Sequence, residues 1–174
     1  MRFPLVLCLL AACVVVGVSP AGAARDGRTT QLRTLSVAVV DQINVVRRAH
    51  GLAPLRVSTR LASAAGQHSS EMTRLGYFSH DSAGGGAFWS RVKRYYPRGG
   101  FRVWSVGENL VWASPDLGAA GALRMWMGSP EHRANLLSPR WREVGVSAVH
   151  ASSAPGVYGG DYVTVVTADF GVRR

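Results

Sequence analysis

The 174-residue sequence predicts one mixed domain of the α+β class. Two stretches, 31–50 and 58–75, carry apolar residues at steps of three and four, a spacing typical of helices with one buried face. Two glycine-bounded runs near the end, 144–149 and 162–170, favour strands. Helices and strands therefore both contribute, and the sequence shows neither an internal repeat nor a second domain.

The first half of the domain is predicted to be mostly helical. A first helix covers 31–50, and a second begins after the capping hydroxyl of Ser58 and ends at Gly76. The glycine-rich stretch 81–87 is predicted to be a connection. A short helix then covers 88–96 and ends before a proline.

The second half alternates strands and helices. Strand pieces are predicted at 101–103 and 109–112, with Gly107 interrupting them. Serine followed by proline marks a helix start, so one helix is predicted over 114–127 and a short one over 129–137. The two glycine-bounded strands close the domain.

The N-terminal residues predict export. A positive start, an apolar run over 5–18 and the small residues Ala21–Gly22–Ala23 are typical of a signal peptide, 1–23, cleaved after Ala23. Residues 24–40 then form an N-terminal segment with the start of the first helix, and 41–174 form the domain. We expect a secreted protein, because no later segment is long and apolar enough to span a membrane.

An alternative N-terminal interpretation is a lipoprotein. The sequence Leu10–Ala11–Ala12–Cys13 has the form of a lipoprotein cleavage site, which would leave the protein lipid-anchored at Cys13. Signal-peptide cleavage after Ala23 would instead remove both Cys8 and Cys13. The mature domain would then contain no thiol, so its stability would come from packing without disulfides.

The strong positive charge predicts an anionic partner. The chain has 20 basic and 10 acidic residues and a net charge of +10, and every basic residue except Lys93 is arginine. Such an excess attracts anionic cell-wall polymers, acidic glycans or lipid headgroups. No nucleic-acid-binding motif is present, so we expect no nucleic-acid partner. We also expect the protein to be a monomer. The alternative is a solvated surface without a specific anionic partner.

Three polar residues are candidates for a functional cleft. His80 follows a predicted helix at the edge of the glycine-rich connection. His132 lies in the first turn of the helix that begins at Pro130. Glu108 lies among apolar neighbours, where a carboxylate needs a partner.

The other histidines have structural explanations. His50 ends a helix, where a cation is favoured by the helix dipole, and His150 ends a strand. His68 lies on the apolar face of the second helix and is interpreted as a core residue.

Five segments in this order resemble the CAP superfamily (cysteine-rich secretory, antigen 5 and pathogenesis-related proteins), in its bacterial, cysteine-poor branch. The segments are Tyr77–Phe78–Ser79–His80, Gly107–Glu108–Asn109–Leu110, Trp126–Met127–Gly128–Ser129–Pro130–Glu131–His132–Arg133–Ala134–Asn135–Leu136–Leu137, Val144–Gly145–Val146 and Ala168–Asp169–Phe170–Gly171.

The resemblance implies a three-layer α-β-α sandwich with a central, mainly antiparallel sheet. It also implies a cleft lined by two histidines and acidic residues, of which His80, Glu108 and His132 match three members. The family's fourth member is a glutamate three residues after a tryptophan. Ser129 stands at that place, which puts metal binding in doubt, and Glu131 has a sufficient structural role in the first turn of its helix.

Two functional hypotheses follow, beside a purely structural role for the polar network. The first is a binding module that engages cell-envelope components or lipids through the cleft and the basic surface. The second is a metal-dependent hydrolase, a peptidase for example, in which His80 and His132 bind a divalent cation such as Zn²⁺ and Glu108 is a ligand or general base. The familiar zinc-protease, serine-hydrolase and catalytic-cysteine motifs are missing from the mature chain.

Overall fold

The structure is a computed structural model that describes residues 29–174. The predicted signal peptide 1–23, its cleavage site and Cys13 lie outside the described residues. The described elements, in chain order, are β1 Thr29–Gln31, α1 Arg33–Ala49, β2 Arg56–Val57, α2 Thr59–Leu75, α3 Phe88–Tyr95, β3 Trp104–Ala113, α4 Ala119–Gly128, α5 Pro130–Leu136, β4 Glu143–Ala151, a 3₁₀ turn Gly156–Tyr158 and β5 Val163–Arg173.

The strands form one sheet in the order β1-β4-β5-β3, and β2 pairs with the same edge of β4 that β1 uses. Only the β2–β4 pair is parallel. Helices α1, α4 and α5 pack together on one face, while α2 and α3 cover the other. The predicted three-layer sandwich with a mainly antiparallel sheet is confirmed.

Alternation along β4 explains how both faces are covered. Val144, Val146 and Ala148 point into the core shared with α1 and α4. Gly145 points to the opposite face, where an added Cβ would lie 1.9 Å from the backbone nitrogen of Ala62. Glycine therefore lets the first turn of α2 lie directly on the sheet, and this close packing positions the polar residues of α2 near β5.

The predicted ends of α2 are confirmed because both are set by local chemistry. The Ser58 hydroxyl accepts a hydrogen bond from the Leu61 amide, and Gly76 adopts a left-handed conformation with φ of 73°. The predicted helices 31–50, 88–96 and 129–137 and the two final strands are also present, with ends shifted by a few residues.

The prediction of two strand pieces around Gly107 is wrong, because β3 continues without a break through that glycine. An added Cβ at Gly107 would lie 2.7 Å from Asn135 Oδ1 and 2.7 Å from the Trp141 ring. The glycine thus serves close packing of α5 and the following loop against the strand. Residues 101–103 precede β3 rather than forming a strand of their own.

The predicted start of the helix at Ser114 is also wrong, since α4 begins at Ala119 after the extended residue Gly118. Residues 114–118 connect β3 to α4, and Leu117 is buried in the core before the helix begins. The short strands β1 and β2 were not predicted, because two or three residues show no periodicity of their own. Across residues 29–174, the structure contains no helix with the length and apolar character of a membrane span.

Candidate functional site

A buried carboxylate forms the base of the predicted cleft. Glu108 lies in β3 on the face covered by α2 and α3, and its side chain is 1% exposed. One carboxylate oxygen forms a salt bridge with the fully buried guanidinium of Arg91 in α3. The other accepts a hydrogen bond from His80 Nδ1 at 2.8 Å. Glu108 therefore has a charged partner on one side and an imidazole on the other.

His80 is the exposed end of this group. Its side chain is 50% exposed, and its backbone carbonyl accepts a hydrogen bond from Arg91 Nη1 at 3.0 Å. Arg91 thus contacts both the histidine backbone and the carboxylate beneath the ring. The bond from Nδ1 to Glu108 fixes the ring orientation and leaves Nε2 as the acceptor nitrogen.

A second acid, Asp169, lies directly across from Glu108 in the β3–β5 pairing. It is fully buried, and neither carboxylate oxygen has a hydrogen-bond partner among the described residues. Burial, and then the neighbouring charge of Glu108, raise the pKa of Asp169 well above the usual range of an aspartic acid. A fully buried acid that favours its neutral form therefore lies beside Glu108.

His132 approaches from the other side of β3, in the first turn of α5. Its backbone carbonyl accepts a hydrogen bond from Asn109 Nδ2 at 3.0 Å. Burial and then the positive charge of His80 lower the pKa of His132, and the charge of Glu131 opposes them. The imidazole of His132 is therefore neutral near pH 7 and lies within electrostatic reach of His80.

Asn135 connects α5 to this part of β3. Its side-chain amide donates to the Glu108 carbonyl at 3.1 Å and to Asn109 Oδ1 at 2.9 Å. Its own backbone carbonyl accepts from the Trp141 indole at 2.9 Å. These bonds hold the strand segment that carries Glu108 in a fixed position relative to His132.

The interpretation of His68 as a core residue is confirmed. Its side chain is fully buried, and Nε2 contacts the Ser79 carbonyl at 2.8 Å. Burial is the main cause that lowers the pKa of His68. Since Ser79 precedes His80, this contact anchors the backbone of the cleft histidine to α2.

The remaining histidines lie outside the cleft. His50 is exposed at the end of α1, where Nδ1 contacts the Val46 carbonyl. His150 contacts the Thr164 hydroxyl at the end of β4. The candidate site therefore brings His80, Glu108 and His132 near two further residues, Arg91 and Asp169, which no sequence motif indicated.

A metal site at these residues stays a prediction. Residues 29–174 contain no group of three or more His, Cys, Asp or Glu arranged to hold a metal ion. Both Glu108 oxygens contact protein donors, so a cation bound to Glu108 would have to displace His80 or Arg91. Ser129 stands at the start of α5, where the family's fourth acid is expected, and Glu131 is exposed. The donor set as it stands does not fit a three-ligand cation site.

The chemistry that the arrangement does provide is that of an oriented imidazole. The Glu108 carboxylate orients the His80 ring through Nδ1 and leaves Nε2 available to a bound molecule. A groove of about 790 Å³ lies elsewhere, between α1 and α2 at the β4 edge of the sheet, whereas Glu108 lies on the edge strand β3 at the opposite side. The cleft chemistry and this groove are therefore separate features.

Comparison with known proteins assigns residues 40–170 to the model of the cysteine-rich secretory protein family, CAP. The uncharacterized protein YkwD of Bacillus subtilis is 30% identical over 139 residues, which cover 78% of this chain and 52% of that protein. The uncharacterized membrane protein YlbC of the same organism is 31% identical over 125 residues, covering 71% and 34%. The chain thus spans about half or less of these relatives.

Solved structures give the same fold. An extracellular protein containing an SCP domain from Bacillus anthracis has a TM-score of 0.62 and 30% identity, covering 81% of this chain and 41% of that one. An outer surface protein from Borrelia burgdorferi has a TM-score of 0.67 at 16% identity, covering 85% and 99%. A cysteine-rich secretory protein from Staphylococcus aureus has a TM-score of 0.56 at 19% identity, covering 79% and 38%.

Proposed function

Because the chain belongs to the cysteine-rich secretory protein (CAP) family, we propose that it acts outside the cell as a monomeric module that binds an anionic component of the cell envelope. The cleft around His80 and the basic surface are the two parts of the molecule that contact the partner. The extracellular location is supported by the B. anthracis and B. burgdorferi structures, which belong to extracellular or outer-surface proteins, and by the predicted signal peptide 1–23.

The observation that carries this proposal is the unequal placement of acids and arginines. Glu108 and Asp169 are buried, and the carboxylates of Glu71 and Glu143 accept hydrogen bonds from the hydroxyls of tyrosines 77 and 96. Most arginines, by contrast, expose their side chains; those classed as exposed are Arg33, Arg48, Arg56, Arg60, Arg74, Arg94, Arg98, Arg102, Arg124, Arg133, Arg140, Arg142 and Arg174. The exposed arginines therefore outnumber the exposed acids, which are Asp41, Asp81, Asp116, Glu131 and Asp161, and the described surface carries a positive excess.

A binding assay tests the proposal directly. The purified domain is applied to an immobilised polyglycerol phosphate and to an uncharged glucan of similar length, at increasing concentrations of NaCl. Binding to the phosphate polymer should weaken steeply with salt, because each contact between an exposed arginine and a phosphate is screened. The uncharged glucan should not bind. Salt-insensitive binding, or no binding at low salt, would remove the support for this function.

A hydrolase is the second candidate, favoured by the 2.8 Å contact between His80 Nδ1 and a buried carboxylate. This arrangement orients an imidazole either as a general base or as a metal ligand whose second nitrogen is held by an acid. A metal-dependent form would have His80 and His132 as its two protein ligands, since both Glu108 oxygens already contact His80 and Arg91. Glu108 would then orient His80.

Metal content and stability test this second candidate. A cation bound at 100 times its dissociation constant adds about 2.7 kcal/mol to the free energy of unfolding, so Zn²⁺ should raise the melting temperature and a chelator should reverse the effect. The His80→Ala and His132→Ala variants should lose both the bound metal and any peptidase activity. Retention of both in these variants would exclude the cleft as a hydrolytic site.

A further inference from the structure

A basic recess lies at the end of the sheet where β3 and β4 begin and β5 ends. It has a volume of about 540 Å³, and its lining includes Ser105, Arg140, Arg142 and Arg174. It is not part of the His80 cleft, whose residues lie further along β3 and in the loops beside it. The recess is therefore a separate surface that the cleft chemistry does not explain.

The residues that line this recess include no acid among the described residues. Two further exposed arginines, Arg98 and Arg102, lie in the adjoining loop before β3. The acid nearest in sequence, Glu143, has its carboxylate engaged by the hydroxyl of Tyr96. A positive surface without local compensation attracts anions more strongly than the same charges interspersed with carboxylates.

Backbone and side-chain contacts hold the recess in shape. Val103 and Arg174 exchange two backbone hydrogen bonds, of 2.7 and 3.1 Å, which join the loop before β3 to the end of β5. Arg142 Nη1 donates to the Pro139 carbonyl at 2.7 Å, and Arg98 Nε donates to the Phe101 carbonyl at 2.9 Å. A guanidinium has five N–H groups, so each of these arginines keeps donors for a phosphate while its position is already fixed.

The geometry points to a linear polymer with repeated phosphate groups as the ligand of this recess. This inference rests on the proposed function and names its surface and its ligand chemistry. A single polymer chain can enter a concave recess and place successive phosphates against Arg140 and Arg142. A flat lipid bilayer cannot enter a concave recess and would contact only its opening.

Charge reversal inside and outside the recess tests this assignment. The test variant combines Arg140→Glu and Arg142→Glu. The matched control combines Arg33→Glu and Arg74→Glu, two exposed arginines that lie near the opposite end of the sheet. Both variants change the net charge by the same amount. Affinity is measured for polyglycerol phosphate in solution and for vesicles of phosphatidylglycerol, each across a range of NaCl concentrations.

We expect the recess variant to bind polyglycerol phosphate at least about tenfold more weakly, with a slope of log affinity against log salt that is smaller by about two. The control should change affinity by less than about threefold, since only long-range attraction is altered. Circular dichroism and melting temperature verify folding. If the double variant does not fold, Arg140→Glu alone serves, because that exposed guanidinium makes one long hydrogen bond, of 3.5 Å to Ser105, and lies 5.9 Å from the centre of the Trp141 ring.

The possible outcomes distinguish a failure of this inference from a failure of the proposed function on which it rests. Equal losses in both variants would overturn the recess as the site and leave a diffuse basic surface, with the proposed function intact. Stronger binding to phosphatidylglycerol vesicles than to the polymer would overturn the polymer as ligand. No binding of the unaltered protein to either anion would overturn the proposed function itself.

Discussion

Arg91 provides the most direct test of how the cleft is held together. The substitution Arg91→Met keeps a long, unbranched apolar side chain in α3 but removes the buried guanidinium. The Glu108 carboxylate, which is 1% exposed, then loses its charged partner. The His80 carbonyl also loses the hydrogen bond from Nη1.

The expected loss of stability is large because both partners of the ion pair, Arg91 and Glu108, are buried. Arg91 is 0% exposed, so water cannot replace the lost contact. Removing one partner of a buried salt bridge costs about 3–5 kcal/mol, because the remaining charge is left without compensation. For a domain of this size, a loss of that order lowers the melting temperature by roughly 10 °C.

Chemical denaturation at pH 7 measures the free energy of unfolding of four proteins: the unaltered chain, Arg91→Met, Glu108→Gln and the double variant. In Arg91→Met the buried carboxylate keeps only its contact with His80, and in Glu108→Gln the buried guanidinium loses its charged partner, whereas the double variant removes both charges. The double variant should therefore lose less stability than the sum of the single losses, by about 1–3 kcal/mol.

Two results would refute this reasoning. A loss below about 1 kcal/mol for Arg91→Met would show that the carboxylate is solvated in solution, as for exposed ion pairs. Additive losses in the double variant would show that Arg91 and Glu108 stabilise the fold independently of each other.

Three further predictions use matched or internal controls. Gly145→Ala should prevent folding, because its Cβ would meet the backbone of α2 at 1.9 Å, whereas Gly128→Ala, with no atom within 4 Å, should fold normally by circular dichroism. Asp169→Asn should change the pH dependence of stability. Since the pKa of Asp169 is raised in the folded state, the unaltered protein should lose unfolding free energy relative to this variant as pH rises above about 4; a constant difference between pH 4 and 8 would contradict this. Trp126→Phe should cost about 1–3 kcal/mol, measured by denaturation, because the buried indole donates to the Leu110 carbonyl at 3.0 Å.

The sequence predicted those features of the fold that depend on neighbouring residues. The ends of α2 at Ser58 and Gly76 follow from a capping hydroxyl and a left-handed glycine, which are local effects. Strands β1 and β2 depend instead on pairing with β4, about ninety residues or more away along the chain, and their few residues show no pattern. The continuity of β3 through Gly107 was likewise decided by Asn135 and Trp141, which approach it from a distant segment.

The candidate site was predicted only in part, because some of its residues are brought together by contacts between distant segments. His80, Glu108 and His132 belong to segments that resemble a family. Arg91, in contrast, lies in the basic helix Phe88–Tyr95, where an arginine is ordinarily exposed. The only sign in the sequence that Arg91 is buried was its position next to the apolar residue Val92. Asp169 lies between the buried apolar residues Ala168 and Phe170 of β5, and a charge at such a position needs a partner, so this residue could have been selected on physical grounds.

Strand β4 separates the first described residue, Thr29, from the basic recess. Thr29 pairs with Ala151 at one end of β4, while Arg142 and the basic recess lie at the other end, roughly 25 Å away along the strand. Any segment that precedes Thr29 therefore enters the domain at the pole opposite the recess. If that segment fastened the protein to a membrane, the arginines of the recess would point away from the membrane.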